Sequence, residues 1–319
     1  MQTAVIGYPR IGTLREFKFA SEQYFRKETE AGELLQTAKE LRKTHWLTQK
    51  EAGISFISSN DFSFYDNMLD TAVLFGIVPK RYKELQLSEL DIYFAMARGY
   101  QGDSGDVKAL AMKKWFNTNY HYIVPEVEDE MVIELKGNKL FAEYHEAKEL
   151  GITTKPTVIG AYTLLKLCRY TGTKKMADYV DAVSKAYRDL IVKCETEGID
   201  WLQFDEPALV QDMGQDEIQL FHKLYDEILA ADNKCHVLLQ TYFGDVRDIY
   251  EDLIQMPFAG IGLDFIEGKQ TVSLIEQFSF PQDKLLFAGL VNGKNIWKNH
   301  YEKTLQTMED LPVAKDHIV

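Results

Sequence analysis

The chain has 319 residues, 45% of them hydrophobic and 27% charged, with a formal net charge of −13. That length buries a large core without disulfide or metal staples, and the acidic balance disfavours nucleic acid and anionic membrane as partners. No apolar run reaches eighteen residues, so no membrane span is expected.

The start, MQTAVIGYPRIG, lacks the basic and apolar regions of a signal peptide. Three scattered cysteines, Cys168, Cys194 and Cys235, form no CxxC pair, which fits a reducing cytoplasm better than a disulfide framework.

Strand-like runs alternate with helical stretches along the chain. The predicted strands are residues 4–9, 54–61, 121–126, 157–163, 201–207, 236–243, 261–267 and 285–291. Several are continuous apolar runs, as strands buried on both faces should be. Between them, residues 176–196 carry apolar side chains spaced by three and four. Residues 217–229 repeat that pattern, with Asp216 a candidate cap after Gly214 and Gln215. Residues 294–311 also read as helical.

The alternation predicts an α/β fold, a (β/α)8 TIM-type barrel with extra helices inserted after strand 2, where residues 62–120 are too many for one crossover helix. An open doubly wound sheet is the alternative. The strands end in GYPR, SSND, VPE, FDEP, YFGD, DFIEG and VNG. In a barrel these groups would converge on the carboxyl-terminal face, although turn residues end strands anywhere. The tail PVAKDHIV reads as another strand cut short, so residues 1–319 are expected to be one barrel from a longer chain. With no exposed apolar face marked, a monomer is expected.

Three segments could carry chemistry. In RIGTLREFK, a helix starting near Thr13 would place Arg15 and Lys18 on one face beside Arg10, with amide donors at its N-terminus for an anion. Plain solvated lysines are the alternative. In KKWFNTNYHY, Lys113 and Lys114 adjoin Trp115 and Phe116, then Asn119 and Tyr120. Such a set suits a flat acid-bearing ligand, or else a helix end whose aromatics pack in the core. In QFDEPAL, Asp205 and Glu206 could be acid/base groups, bind a pterin or guanidinium edge, or simply hold backbone donors at a barrel rim. No cysteine falls at a strand's carboxyl end, so no metal ligand set is expected in this chain. No Gly-rich phosphate loop and no GxSxG elbow occurs.

Taken together, GYPRIGTLREFK, the W-x-x-Q-x-E-A-G segment at 46–53, NDFSFYDNMLD, KWFNTNYHYIVPE, FDEPAL and NGKNIWKN resemble the cobalamin-independent methionine synthases (5-methyltetrahydropteroyltriglutamate–homocysteine methyltransferases). The resemblance runs in order over nearly the whole chain. It implies the first of two face-to-face barrels. The second barrel of the family holds zinc, homocysteine and the catalytic histidine, and this chain would be inactive without it. Where that barrel has a His-x-Cys pair, this chain reads Gln240-Thr241-Tyr242-Phe243. The resemblance further implies that Arg15, Glu16, Phe17, Lys18 and Lys114 contact the folate polyglutamate tail. Lys113, Asn119, Tyr120, Asp205 and Glu206 would line the cleft, no metal would be bound here, and no cobalamin would be needed. Phe17 stands where the family commonly has leucine. The competing readings are a free-standing decarboxylase-like barrel using Asp205 and Glu206, and a folate-binding module without chemistry.

Overall fold

The computed structural model describes residues 2–230 and 234–319. After an extended start come helices α1 (Glu16–Phe25) and α2 (Ala31–Glu51), then strand β1 (Ile57–Ser59). Helices α3 (Asn67–Leu74) and α4 (Glu89–Arg98) follow, then an antiparallel hairpin of β2 (Met112–Lys114) and β3 (His121–Ile123). Next come α5 (Lys139–Glu149), β4 (Thr154–Ile159), α6 (Ala161–Leu167), α7 (Val180–Thr196), β5 (Trp201–Asp205) and α8 (Gln215–Ile228). Strands β6 (His236–Gln240), β7 (Gly260–Asp264) and β8 (Leu285–Gly289) complete the main sheet.

That sheet has six parallel strands in the order β1-β4-β5-β6-β7-β8. Single parallel bridges extend it at both edges, Ala4 to Phe56 and Ile318 to Leu286. The sheet curls, with alternate side chains facing inward. On β5, Trp201 meets Phe56 and Phe287 edge-on or tilted across the sheet's concave side, at ring centroids 5.3 and 5.9 Å away. Phe204, on the opposite face, packs on Tyr187 of α7. This is the two-sided burial that the apolar runs demand. No ladder joins the two edge segments among the described residues, so the observed sheet is a curled, half-closed one.

The predicted inventory needs several corrections. The run 121–126 is not a barrel strand. Its β3 portion pairs only with β2, and β1 pairs directly with β4. Tyr122 and Val124 face the main core while Ile123 faces a second cluster with Phe17, Phe62, Leu69 and Phe94. Burial on both sides gave the segment the look of a barrel strand. The predicted eighth strand is therefore β8, the last strand of the six-stranded sheet, and the Ile318 bridge extends that edge. The insertion after β1 holds extra helices, as expected. Only Tyr301–Asp310 of the predicted 294–311 helix is helical. Asp216 lies within the first turn of α8, whose cap position is Gly214; there Glu217 accepts from the Gly214 amide at 3.3 Å.

Candidate functional site

The ends of the parallel strands surround a cavity of about 810 Å³, with Asp61, Thr157, Asp205, Gln240, Asp264 and Gly289 among its lining. The loop of the β2–β3 hairpin closes one side with Trp115, Asn117, Asn119 and Tyr120. A space of this size accepts a small organic molecule.

Beneath it lies a buried polar layer. Strand alternation turns Gln203 and Asp205 of β5 to the concave side. Gln203 donates to Asp205 at 2.6 Å, and the Tyr242 hydroxyl donates to the other carboxylate oxygen at 3.1 Å. Burial raises the Asp205 pKa to about 6, against the pull of Gln203 and of Lys155. Lys155 of β4 donates to the side-chain amide oxygen Oε1 of Gln203. Its own pKa falls to about 8 through burial, partly restored by Asp205 and Asp61. Asp61, raised by burial, accepts from the Tyr8 amide at 2.8 Å. One wall away, Lys139 bridges Asp70 and Glu143 at 3.1 Å each and donates to Asn60 at 2.9 Å. Arg42 makes two bonds to Glu146 at 2.9 and 2.8 Å.

Asp205 and Glu206 are neighbours in sequence but not in role. Glu206 is fully buried and lies outside the cavity lining. It accepts from the amides of Tyr162 and Thr163 at 2.9 and 2.8 Å, from the Thr163 hydroxyl at 2.6 Å and from the Tyr225 hydroxyl. It thus caps α6, whose N-cap residue Gly160 has no side chain to do so. Burial raises its pKa to about 7 despite those donors. An acid/base pair working on one substrate is not what these positions offer.

The cavity rim carries an ionic clasp. Lys294 pairs with Glu267 at 2.6 Å and donates to Asn117 at 2.6 Å, and Asn117 donates to Glu267 at 2.8 Å. Lys294 also sits 4.3 Å from the Phe243 ring centroid. Three loops are joined this way.

The expected basic residues lie elsewhere. Arg15 is exposed and is the cap residue of α1 rather than a member of it, with a left-handed φ of 64°. Glu16 accepts from the Leu14 amide at 3.0 Å, and Phe17 is buried edge-on to Phe62 and Phe64. Lys18 pairs with Glu22 at 3.7 Å. Lys113 and Lys114 are exposed on β2, opposite Tyr122 and His121. None of these lines the cavity, whereas Asn119, Tyr120 and Asp205 do. What joins them is the second cluster, where Phe17 of α1 packs with Ile123 of β3. Sequence reasoning missed Lys155 and Lys139. The predicted strand began at Thr157, two residues too late to include Lys155, and Lys139 opens α5, a stretch the sequence reading left unassigned.

Among the described residues no group of three or more His, Cys, Asp or Glu is placed to hold a metal, and no helix is long and apolar enough to cross a membrane. Cys194 and Cys235 are buried in the main core, and Cys168 packs against it.

A parallel sheet, curled around a cavity at its strand ends and carrying an inserted helical cluster, defines an α/β domain of half-barrel form. The family model described as "Cobalamin-independent synthase, N-terminal domain" matches residues 2–315, and the chain belongs to that family. Curated relatives named 5-methyltetrahydropteroyltriglutamate–homocysteine methyltransferase are similar over almost all of it. One from Streptococcus gordonii is 55% identical over 312 residues, covering 98% of this chain and 42% of the relative. One from Campylobacter jejuni subsp. doylei is 52% identical over 319 residues, covering 100% and 42%. The chain thus spans about two-fifths of the length of these relatives. A solved B12-independent methionine synthase from Shewanella shares the fold, with a TM-score of 0.68 at 14% identity over 91% of this chain and 81% of that one.

Proposed function

We propose that this chain serves as the amino-terminal half of a methyltransferase that moves a methyl group from 5-methyltetrahydrofolate to homocysteine, and that its task is to hold the donor's polyglutamate tail. The relatives' names supply the reaction. The observation that carries the tail-binding role is the placement of exposed Arg15 at the cap of α1, Lys18 on α1 and Lys114 on β2, elements anchored to one hydrophobic cluster through Phe17 and, by way of β3, Ile123.

A polyglutamate tail is a flexible polyanion, and a chain of net charge −13 would repel it except where cations cluster. Arg15 offers a fork of donors and the lysines offer point charges, each able to form charge-assisted bonds to a carboxylate. Glu16, by taking the Leu14 amide, fixes the turn that presents Arg15. We read the curled sheet, with Ala4 and Ile318 at its edges, as an eight-position barrel that supplies the rigid mount.

Zinc does not fit the residues of this chain, because its cysteines sit in or against the hydrophobic core. In this reading the metal, homocysteine and the catalytic step belong to a second, carboxyl-terminal barrel. The chain alone binds without turning over, as a cytoplasmic monomer. The decarboxylase-like alternative is weakened by the burial of Glu206 as a helix cap.

The test is calorimetric titration with methyltetrahydrofolate bearing one or three glutamates, at low and high salt. We expect tighter, salt-sensitive binding of the triglutamate, weakened about tenfold by Lys114→Ala, the loss of one charge-assisted contact. Affinity that ignores tail length and salt would overturn the assignment.

A further inference from the structure

We propose that the cavity at the strand ends is a second binding site, distinct from the tail cluster, for a small planar organic cation of the amidinium or guanidinium class. Among the described residues its lining holds the carboxylates of Asp61, Asp70, Asp205, Asp264 and Glu267 but only one cation, Lys294, which Glu267 already pairs. Below the floor, Lys155 stands between Asp61 and Asp205, and Asp61 also feels Lys139, so the two ammoniums are shared among Asp61, Asp70, Asp205 and Glu143 and the buried layer keeps more carboxylates than cations. Lys139, reinforced by Arg42, answers Asp70 and Glu143. An anion would meet repulsion, and a neutral guest would leave the excess charge desolvated and unmatched.

One acceptor points to a donor-rich guest. The Thr157 hydroxyl oxygen, buried in the cavity floor, has no hydrogen-bond partner among the described residues. Buried polar atoms without partners are rare and costly. A planar cation with several N–H groups can serve Asp205 and Thr157 together, as a spherical ion cannot. The aromatic wall of Trp115, Tyr242 and Phe243 provides faces on which such a plane stacks. The Asp264 carboxylate is already filled by the amides of Phe243, Ile266 and Glu267, so the recognition falls to the floor.

The probe is 4-aminobenzamidine, compared with its neutral near-isostere 4-aminobenzamide, titrated into the 319-residue chain at pH 7.5. The amidine is expected to bind at least tenfold tighter than the amide. Asp205→Asn should remove most of that preference, and Thr157→Val should weaken the amidine two- to fivefold. If thermal unfolding shows Asp205→Asn to be misfolded, Asp61→Asn carries the same expectation. Equal binding of amidine and amide, absence of amidine binding, or full preference retained in the aspartate variant would each overturn the proposal.

Discussion

The cavity floor and the basic edge of this molecule use charge in opposite ways. On the floor, Lys155, Asp61 and Asp205 are removed from water, as is Glu206 at the start of α6 outside the cavity, and each is placed by partners the fold provides. At the edge, Arg15, Lys113 and Lys114 stand in solvent and Lys18 makes only a loose pair with Glu22. Buried charges are costly and must be answered internally, so they report on architecture. Exposed cations cost the fold little and stay available to a ligand.

The largest expected effect tests that division at Glu206. Replacing it with alanine strands two amides and two hydroxyls in the core, and should cost about 3–5 kcal/mol in urea unfolding. Arg15→Ala and Lys114→Ala should each move stability by less than about 0.5 kcal/mol. A Glu206→Ala protein as stable as these would erase the comparison. Lys155→Met, which leaves Asp205 without its cation and Asp61 with Lys139 alone, should rank next at about 2–4 kcal/mol.

A third test is one of pH. The folded pKa of Asp205, about 6, exceeds its ordinary value of 3.8. Between those values the folded state binds the proton and the unfolded state does not. This contribution is fully present below about 3.8 and is lost as pH rises through 6. Between pH 7 and pH 5, the urea stability of the wild type relative to Asp205→Asn should therefore rise by about 1 kcal/mol as pH falls. A constant difference would mean that the carboxylate is already satisfied when ionised. The smallest effect belongs to the rim, where Glu267 and Lys294 are each about a third exposed. Lys294→Ala should cost under about 1 kcal/mol and lose even that at high salt.

Much of this was legible in the sequence. The cores of β5 to β8 lie within predicted runs, because apolar strands buried on both faces leave an unmistakable pattern. The tail at 317–319 reads as strand-like, and Ile318 does pair with Leu286. Other features resisted for physical reasons. The run at 121–126 is apolar on both faces because it lies between two cores. Lys155 and Pro156 are unlike strand residues, so the true third strand began too late in the reading. At the site, the sequence marked Asp205, Asn119 and Tyr120 but treated Asp205 and Glu206 alike. Their difference arises from α6, whose first amides meet Glu206 only in three dimensions. The basic residues were singled out by their chemistry and resemblance, and their separation from the cavity depends on where the inserted helices pack.

The aromatic layer of Phe56, Trp201 and Phe287, at the opposite end of β5 from Asp205, has a kinetic consequence. With that end filled by rings and the middle by Lys155 and Gln203, the cavity is a cul-de-sac. A guest enters and leaves by the same rim, past the clasp of Lys294, Glu267 and Asn117. Loosening the clasp would then speed arrival and departure together, changing residence time while leaving occupancy at equilibrium nearly untouched.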